Sequence, residues 1–113
     1  MRTIVYVAST VIDRKWNPPT KVGITRDLVG RMRTLRTANP LPIGVVFYVE
    51  TGREEAVFLE REIHGKLATS RLQGEWFSIH PGPVLDVLAD IVERLHSDPS
   101  SGPYPFLLKG DDL

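Results

Sequence analysis

The alternation of apolar and polar positions divides the chain into short strands and amphipathic helices. Residues 3–8 are rich in β-branched and aromatic side chains on both faces, which predicts a central strand. A second strand is predicted at residues 21–24, paired with the first as a hairpin across a polar loop over residues 9–19. The third strand is predicted at residues 43–50, and residues 76–79 predict an extended piece at the sheet edge.

Three other stretches place apolar residues at helical spacing. The inward stripes are Leu28, Met32 and Leu35; Ala56, Leu59, Ile63 and Leu67; and Val84, Leu88, Ile91 and Leu95. Thr25 or Asp27 can cap the first helix, and Pro81 and Pro83 open the last one. The order ββαβαβα predicts an α+β fold with a central antiparallel three-stranded sheet flanked by helices.

A length of 113 residues fits one domain with a single core. We assign it to residues 1–96 and interpret residues 97–113 as a tail containing proline, glycine and serine. The apolar residues 104–108 of this tail can dock on the domain, or contact a partner protein or a second copy. Without cysteine there is no disulfide and no thiolate zinc site. No apolar run approaches the roughly 20 residues that span a bilayer, so we predict a cytoplasmic protein without a membrane partner.

The formal net charge of zero hides an asymmetry along the chain. Residues 1–36 contain eight Lys/Arg and two acidic residues, whereas residues 82–113 contain six acidic residues and two Lys/Arg. The basic third can face a polyanion while the acidic end points away from it. Two solvated faces of a neutral protein explain the same pattern, and charge alone favours neither interpretation.

Four residues of the first half are candidates for chemistry. Tyr6 lies in an apolar strand, where it is either a core tyrosine or a positioned hydroxyl. Lys21 precedes a glycine that allows close approach, so it can present a cation at the sheet face or simply face solvent. The glycine is Gly23. Arg31 lies beside the apolar stripe of its helix, where its planar fork can grip a phosphate or its stem can cover the core.

Five further residues complete the candidate set. Arg33 and Arg36 are more typical of a solvated basic face, and we retain them as candidate substrate contacts. Glu60 falls on the inward side of its helix, where a carboxylate is costly unless it is paired, hydrogen-bonded or metal-bound. His64 lies one turn further on, so a Glu–His pair is the alternative to a magnesium or manganese site. Glu75 either supports this site or caps a turn.

Taken together, these residues resemble the GIY-YIG nuclease superfamily, closest to its short phage-type branch, in which lysine often replaces the tyrosine of the second motif. The matching motifs are Ile4-Val5-Tyr6, Lys21-Val22-Gly23, Arg31, Ala56-x-x-Leu59-Glu60-x-x-Ile63-His64 and Gly74-Glu75-Trp76-Phe77. They cover residues 3–80 in the correct order. Two departures are Ile4 for the first glycine and Lys21 for the second tyrosine.

The resemblance implies an endonuclease that hydrolyses nucleic-acid phosphodiesters with one Mg²⁺ or Mn²⁺. Tyr6 would be the general base, with Lys21 as a nearby cation that favours the phenolate. Arg31 would stabilise charge on the phosphate, Glu60 would hold the metal, and His64 would hydrogen-bond water or phosphate.

In this interpretation Gly23, Arg33, Arg36 and Glu75 position or contact the substrate. DNA is the expected partner and RNA the alternative. The competing hypothesis is a non-catalytic module of the same fold that binds nucleic acid or protein. A nuclease requires base, cation and metal ligand to meet at one phosphate, so we expect Tyr6, Lys21, Arg31 and Glu60 to converge on one open concave surface.

Overall fold

The computed structural model describes residues 2–95 and 108–110. It contains the strands β1 (Arg2–Ile12), β2 (Lys15–Thr25), β3 (Ile43–Gly52), β4 (Arg71–Gln73), β5 (Trp76–Phe77) and β6 (Leu108–Lys109), the helices α1 (Leu28–Ala38), α2 (Arg53–Lys66) and α3 (Pro81–Leu95), and a 3₁₀ turn at Ala68–Ser70.

The described strands form one antiparallel sheet in the order β4-β5-β2-β1-β3-β6. The α+β class is therefore confirmed, but the predicted three-stranded sheet is wrong because the sheet has six strands. The three additional strands are only two or three residues long, and one of them, β5, lies within the extended piece predicted at residues 76–79. Such a short segment cannot show an alternating pattern, so its backbone pairing becomes visible only in the folded chain.

The β1–β2 hairpin is much longer than predicted. The predicted polar loop over residues 9–19 is wrong, since β1 and β2 pair as far as Ile12 and Lys15. Asp13 and Arg14 form the two-residue turn with φ of 52° and 62°, the conformation that suits the twist of a tight hairpin. Pro18 and Pro19 lie where the register of the pairing shifts, so their missing N–H groups remove few hydrogen bonds between the strands.

Two cores lie on opposite faces of the sheet. The larger core packs α2 and α3 against β1, β2 and β3, and it includes the predicted stripes from Ala56 to Leu67 and from Val84 to Ile91. The smaller core lies under α1, where Tyr6 packs with Met32 and Leu35. The predicted cap of α1 is confirmed for Asp27, whose carboxylate accepts from the Gly30 N–H at 3.0 Å.

The C-terminal tail lies mostly outside the described residues. Its described part, Leu108–Lys109, adds to β3 as strand β6, and the Gly110 N–H donates to the Val46 carbonyl at 3.0 Å. The proposed docking or self-association through residues 104–108 concerns residues that fall almost entirely outside this description. The division at residue 96 stays a prediction. Within the described part of the chain, no helix is both long and apolar enough to span a membrane.

Candidate functional site

The edge of β2 that faces away from β1 pairs with β5 as far as Lys21 and contacts other segments beyond it. Strand β5 pairs with Thr20 and Lys21, and the Val22 N–H then donates to the Glu75 carbonyl at 3.0 Å. The Val22 carbonyl lies 3.0 Å from His64 Nε2 of α2. A carbonyl can only accept, so Nε2 carries the proton and donates it. His64 therefore ties α2 to the edge of β2, and Glu60 is one helical turn away from this anchor.

Gly23 brings two side chains together over its backbone. It is buried and lies directly opposite Tyr6 in the β1–β2 pairing. A Cβ atom at this position would lie 2.8 Å from Tyr6 Oη and 2.8 Å from Glu75 Oε1. Only glycine leaves room for the phenol and the carboxylate to share this space.

Lys21 is enclosed rather than presented to solvent. Its residue exposure is 9%, and its Nζ lies 3.0 Å from Glu75 Oε1. The same Nζ lies 5.3 Å from the centroid of the Trp76 ring, within the range of a cation–π interaction. Lys21 therefore has an anionic partner and an aromatic partner already.

Glu60 reaches this cluster from the opposite side of the sheet, since α2 packs on the face away from α1. Its carboxylate is close enough to that of Glu75 for the two to interact, and its Oε2 atom is buried without a hydrogen-bond partner among the described residues. The pKa of Glu60 is raised to about 7, mainly by burial and further by the neighbouring Glu75 carboxylate, while Lys21 acts to lower it. Glu60 therefore keeps its proton to a higher pH than an exposed glutamate does.

Tyr6 is fully buried, and its hydroxyl has no hydrogen-bond partner within the described ranges. Burial raises its pKa well above the usual value, and the carboxylates of Glu75 and Glu60 add to the effect. The group that lowers the pKa of Tyr6 is Arg31. We expected Lys21 to favour the phenolate, but its charge is engaged by Glu75, and Arg31 takes that role.

The candidate residues thus fall into two groups. The structure brings together a cluster of five residues: Tyr6, Lys21, Gly23, Glu60 and Glu75. Arg31 is near enough to lower the pKa of Tyr6, and His64 contacts the Val22 carbonyl at the edge of this cluster.

Arg33 and Arg36 lie apart from that cluster on the exposed side of α1, and Arg36 Nε donates to the Ile43 carbonyl at 3.0 Å. The surface is less open than we expected, because Tyr6 and Lys21 are buried. A groove of about 300 Å³ lies between α1 and β3, lined by Leu28, Met32, Arg36 and Tyr48 among others, and none of the clustered residues lines it.

Glu75 has a larger part than its sequence context indicated. We expected it to support the site or cap a turn, whereas it contacts Lys21, Glu60 and the space above Gly23. Gly74 before it has a φ of 58°, a turn conformation that favours glycine. A turn glycine followed by an acid and two strand-forming aromatics is the signal that could have shown this role.

A comparison with protein families matches a model of the T5orf172 domain over residues 3–96. The chain belongs to the T5orf172 domain family. This is a phage-associated family related to GIY-YIG and HNH-like nucleases, and membership indicates a function connected with nucleic acids. Comparisons with curated proteins and with solved structures found no match.

Residues 3–96, which match the T5orf172 domain, include every residue of the cluster from Tyr6 to Glu75.

The protonated Glu60 should make the stability of this T5orf172 domain depend on pH. Its pKa rises from 4.5 to about 7 on folding, so the unfolded chain loses this proton first as pH increases. The contribution is complete below about pH 4.5 and is lost as pH rises through 7, a loss of roughly 1 kcal/mol after solvent screening. Urea unfolding of metal-free protein at pH 5 and pH 7.5 measures it.

Glu60→Gln should reduce this pH dependence because glutamine does not titrate. Glu62→Gln is the matched control, since Glu62 is an exposed carboxylate on the same helix. Wild type and Glu60→Gln with the same change in unfolding free energy between the two pH values would rule out Glu60 as the group that titrates.

Proposed function

We propose that the chain is a divalent-metal-dependent endonuclease that hydrolyses phosphodiesters of DNA by a GIY-YIG type of mechanism. The observation that carries the proposal is the meeting of Tyr6 and Glu75 over Gly23, with the Glu60 carboxylate close enough to interact with that of Glu75. A phenol, an arginine and carboxylates around one point can supply a proton acceptor, a cation for the phosphate and oxygen ligands for a metal. Membership of a family connected with nucleic acids supports the same conclusion.

The residues present fit a magnesium or manganese ion. Glu60 Oε2 is a buried carboxylate oxygen without a partner in the described part of the chain, and both ions prefer oxygen ligands. Glu60 would therefore hold the ion. Once bound, the ion would stabilise negative charge on the phosphate and the leaving oxygen.

Tyr6 would accept the proton of the attacking water. The water oxygen forms a bond to phosphorus, the bond from phosphorus to the leaving oxygen breaks, and the proton moves to Tyr6 Oη. Tyr6 must first release its own proton to solvent, and Arg31 is the cation that favours this loss. The Arg31 guanidinium is exposed, so it can also bind a phosphate oxygen as a planar fork.

The distribution of charge supports approach of the substrate from the α1 side. Helix α1 contains three arginines and no acidic residue. On the other face, α2 contains four acidic and three basic residues, and α3 contains three acidic residues and one basic residue. A polyanion is attracted to the first face and repelled by the second, which favours the interpretation of the basic third as a nucleic-acid surface.

Cleavage of supercoiled plasmid with Mg²⁺ or Mn²⁺ tests the proposal. We expect nicked or linear product that excess chelator prevents, because the ion stabilises the transition state. Glu60→Gln should lower the initial rate by about tenfold or more, whereas Glu62→Gln, an exposed change on the same helix, should not. A wild-type protein that binds DNA but cleaves with neither ion would instead be a binding module.

A further inference from the structure

We propose that Glu75 is a second carboxylate ligand of the divalent cation, and that it leaves Lys21 when the cation binds. The inference rests on the proposed metal site at Glu60 and adds a ligand to it. It also gives Lys21 a conditional role, because its charge becomes available only when Glu75 has another partner.

The Glu75 carboxylate lies between a cation, Lys21, and a second carboxylate, Glu60. Its Oε1 lies 3.0 Å from Lys21 Nζ, and its carboxylate also interacts with that of Glu60. Two neighbouring carboxylates repel each other unless a positive charge lies between them. Glu60 and Glu75 would both be oxygen ligands for a divalent cation held between them.

Two buried oxygen atoms without partners give independent support for a ligand at this point. Tyr6 is 0% exposed, and its Oη is aimed at the space above Gly23 that Glu75 Oε1 also borders. Glu60 Oε2 is likewise buried, and neither atom has a hydrogen-bond partner among the residues described. Buried polar atoms are normally satisfied, so both point to a group that belongs between these side chains. A hydrated cation would satisfy both.

Movement of Glu75 would change what Lys21 can do. In the metal-free chain Lys21 is neutralised by Glu75 and lies beside the Trp76 ring. If a cation draws Glu75 away, the ammonium group of Lys21 loses its anionic partner. The phosphate of a bound substrate is the anion that can replace it. The metal would therefore prepare the cation that binds the substrate.

Manganese affinity of the full chain, measured without DNA, tests the ligand assignment. Free Mn²⁺ is followed by electron paramagnetic resonance during titration of wild type, Glu60→Gln, Glu75→Gln and Glu62→Gln. We expect Glu60→Gln and Glu75→Gln each to weaken the Kd by about tenfold or more, and Glu62→Gln to leave it unchanged. Wild-type affinity in Glu75→Gln would overturn the proposal.

Lys21→Met tests whether Lys21 and the metal ion compete directly for the Glu75 carboxylate, or whether the lysine charge only repels the ion. Methionine keeps an unbranched apolar chain beside Trp76 but cannot hold Glu75, so Mn²⁺ should bind more tightly by severalfold. The same substitution in a Glu75→Gln background should have little effect, because the competing contact is already absent. Equal tightening in both backgrounds would contradict the exchange of partners.

The measurements distinguish this inference from the function on which it rests. Normal cleavage with unchanged Mn²⁺ affinity in Glu75→Gln would overturn the inference alone. Loss of Mn²⁺ affinity in both carboxylate variants of a protein that never cleaves DNA would overturn the nuclease and leave the site. A wild-type chain that binds no Mn²⁺ would overturn both.

Discussion

Replacing Tyr6 by phenylalanine should lower DNA cleavage by about 10²-fold or more, a typical size for the loss of a general base. The ring and its packing remain, and only the hydroxyl that accepts the proton is removed. That hydroxyl is buried without a partner within residues 2–95 and 108–110, so its removal should not destabilise the protein and should add up to about 1 kcal/mol of stability. Initial cleavage rates and urea unfolding measure the two effects.

Tyr48→Phe is the matched control for this substitution. Tyr48 lies directly opposite Tyr6 in the β1–β3 pairing, but it is half-buried and outside the carboxylate cluster. It should lose little or no cleavage. Equal cleavage by wild type and Tyr6→Phe would exclude Tyr6 as the base, even in a protein that is a nuclease.

Gly23→Ala should reduce both stability and cleavage. The new Cβ would lie 2.8 Å from Tyr6 Oη and 3.0 Å from Tyr6 Cζ, atoms of a rigid and buried ring. It would also lie 2.8 Å from Glu75 Oε1. We expect a loss of about 1–3 kcal/mol from overpacking, and a cleavage rate lower by about 10²-fold because reacting groups move by roughly 1 Å.

Gly65→Ala provides the opposite case on the same scaffold. Gly65 lies within α2 with no atom within 4 Å of the added Cβ, so alanine should raise the free energy of unfolding by about 0.5–1 kcal/mol. Thermal unfolding and plasmid cleavage of both variants make the comparison. A Gly23→Ala protein as stable and as active as wild type would show that the contact at Gly23 is not needed.

The local pattern of apolar residues was sufficient to predict the three helices and the faces that they bury. The α2 stripe through Leu59 and Ile63 is buried because residues three and four apart share one face of any helix. The same periodicity placed Glu60 toward the interior. The family motifs added the order of the candidate residues, and the site uses most of them.

Pairing between distant segments was decided by the fold alone. The polar end of the β1–β2 hairpin carries no alternation, yet a two-residue turn at Asp13 and Arg14 holds it in register. The strands β4, β5 and β6 are two or three residues long, too short to repeat an alternating pattern. Their stability comes from hydrogen bonds to a neighbour, which is a property of the neighbour as much as of the segment.

For the charged residues of the cluster, too, the sequence determined one part of the arrangement and the tertiary structure the other. The sequence by itself determined that Lys21 and Glu60 lie on elements able to reach one site, and that Gly23 leaves space there. Only the tertiary structure decided that Lys21 is held by Glu75, and that the Glu60 carboxylate meets that of Glu75. Hydrogen bonds and pKa values depend on distances of a few ångströms between groups far apart in the chain, and folding sets those distances.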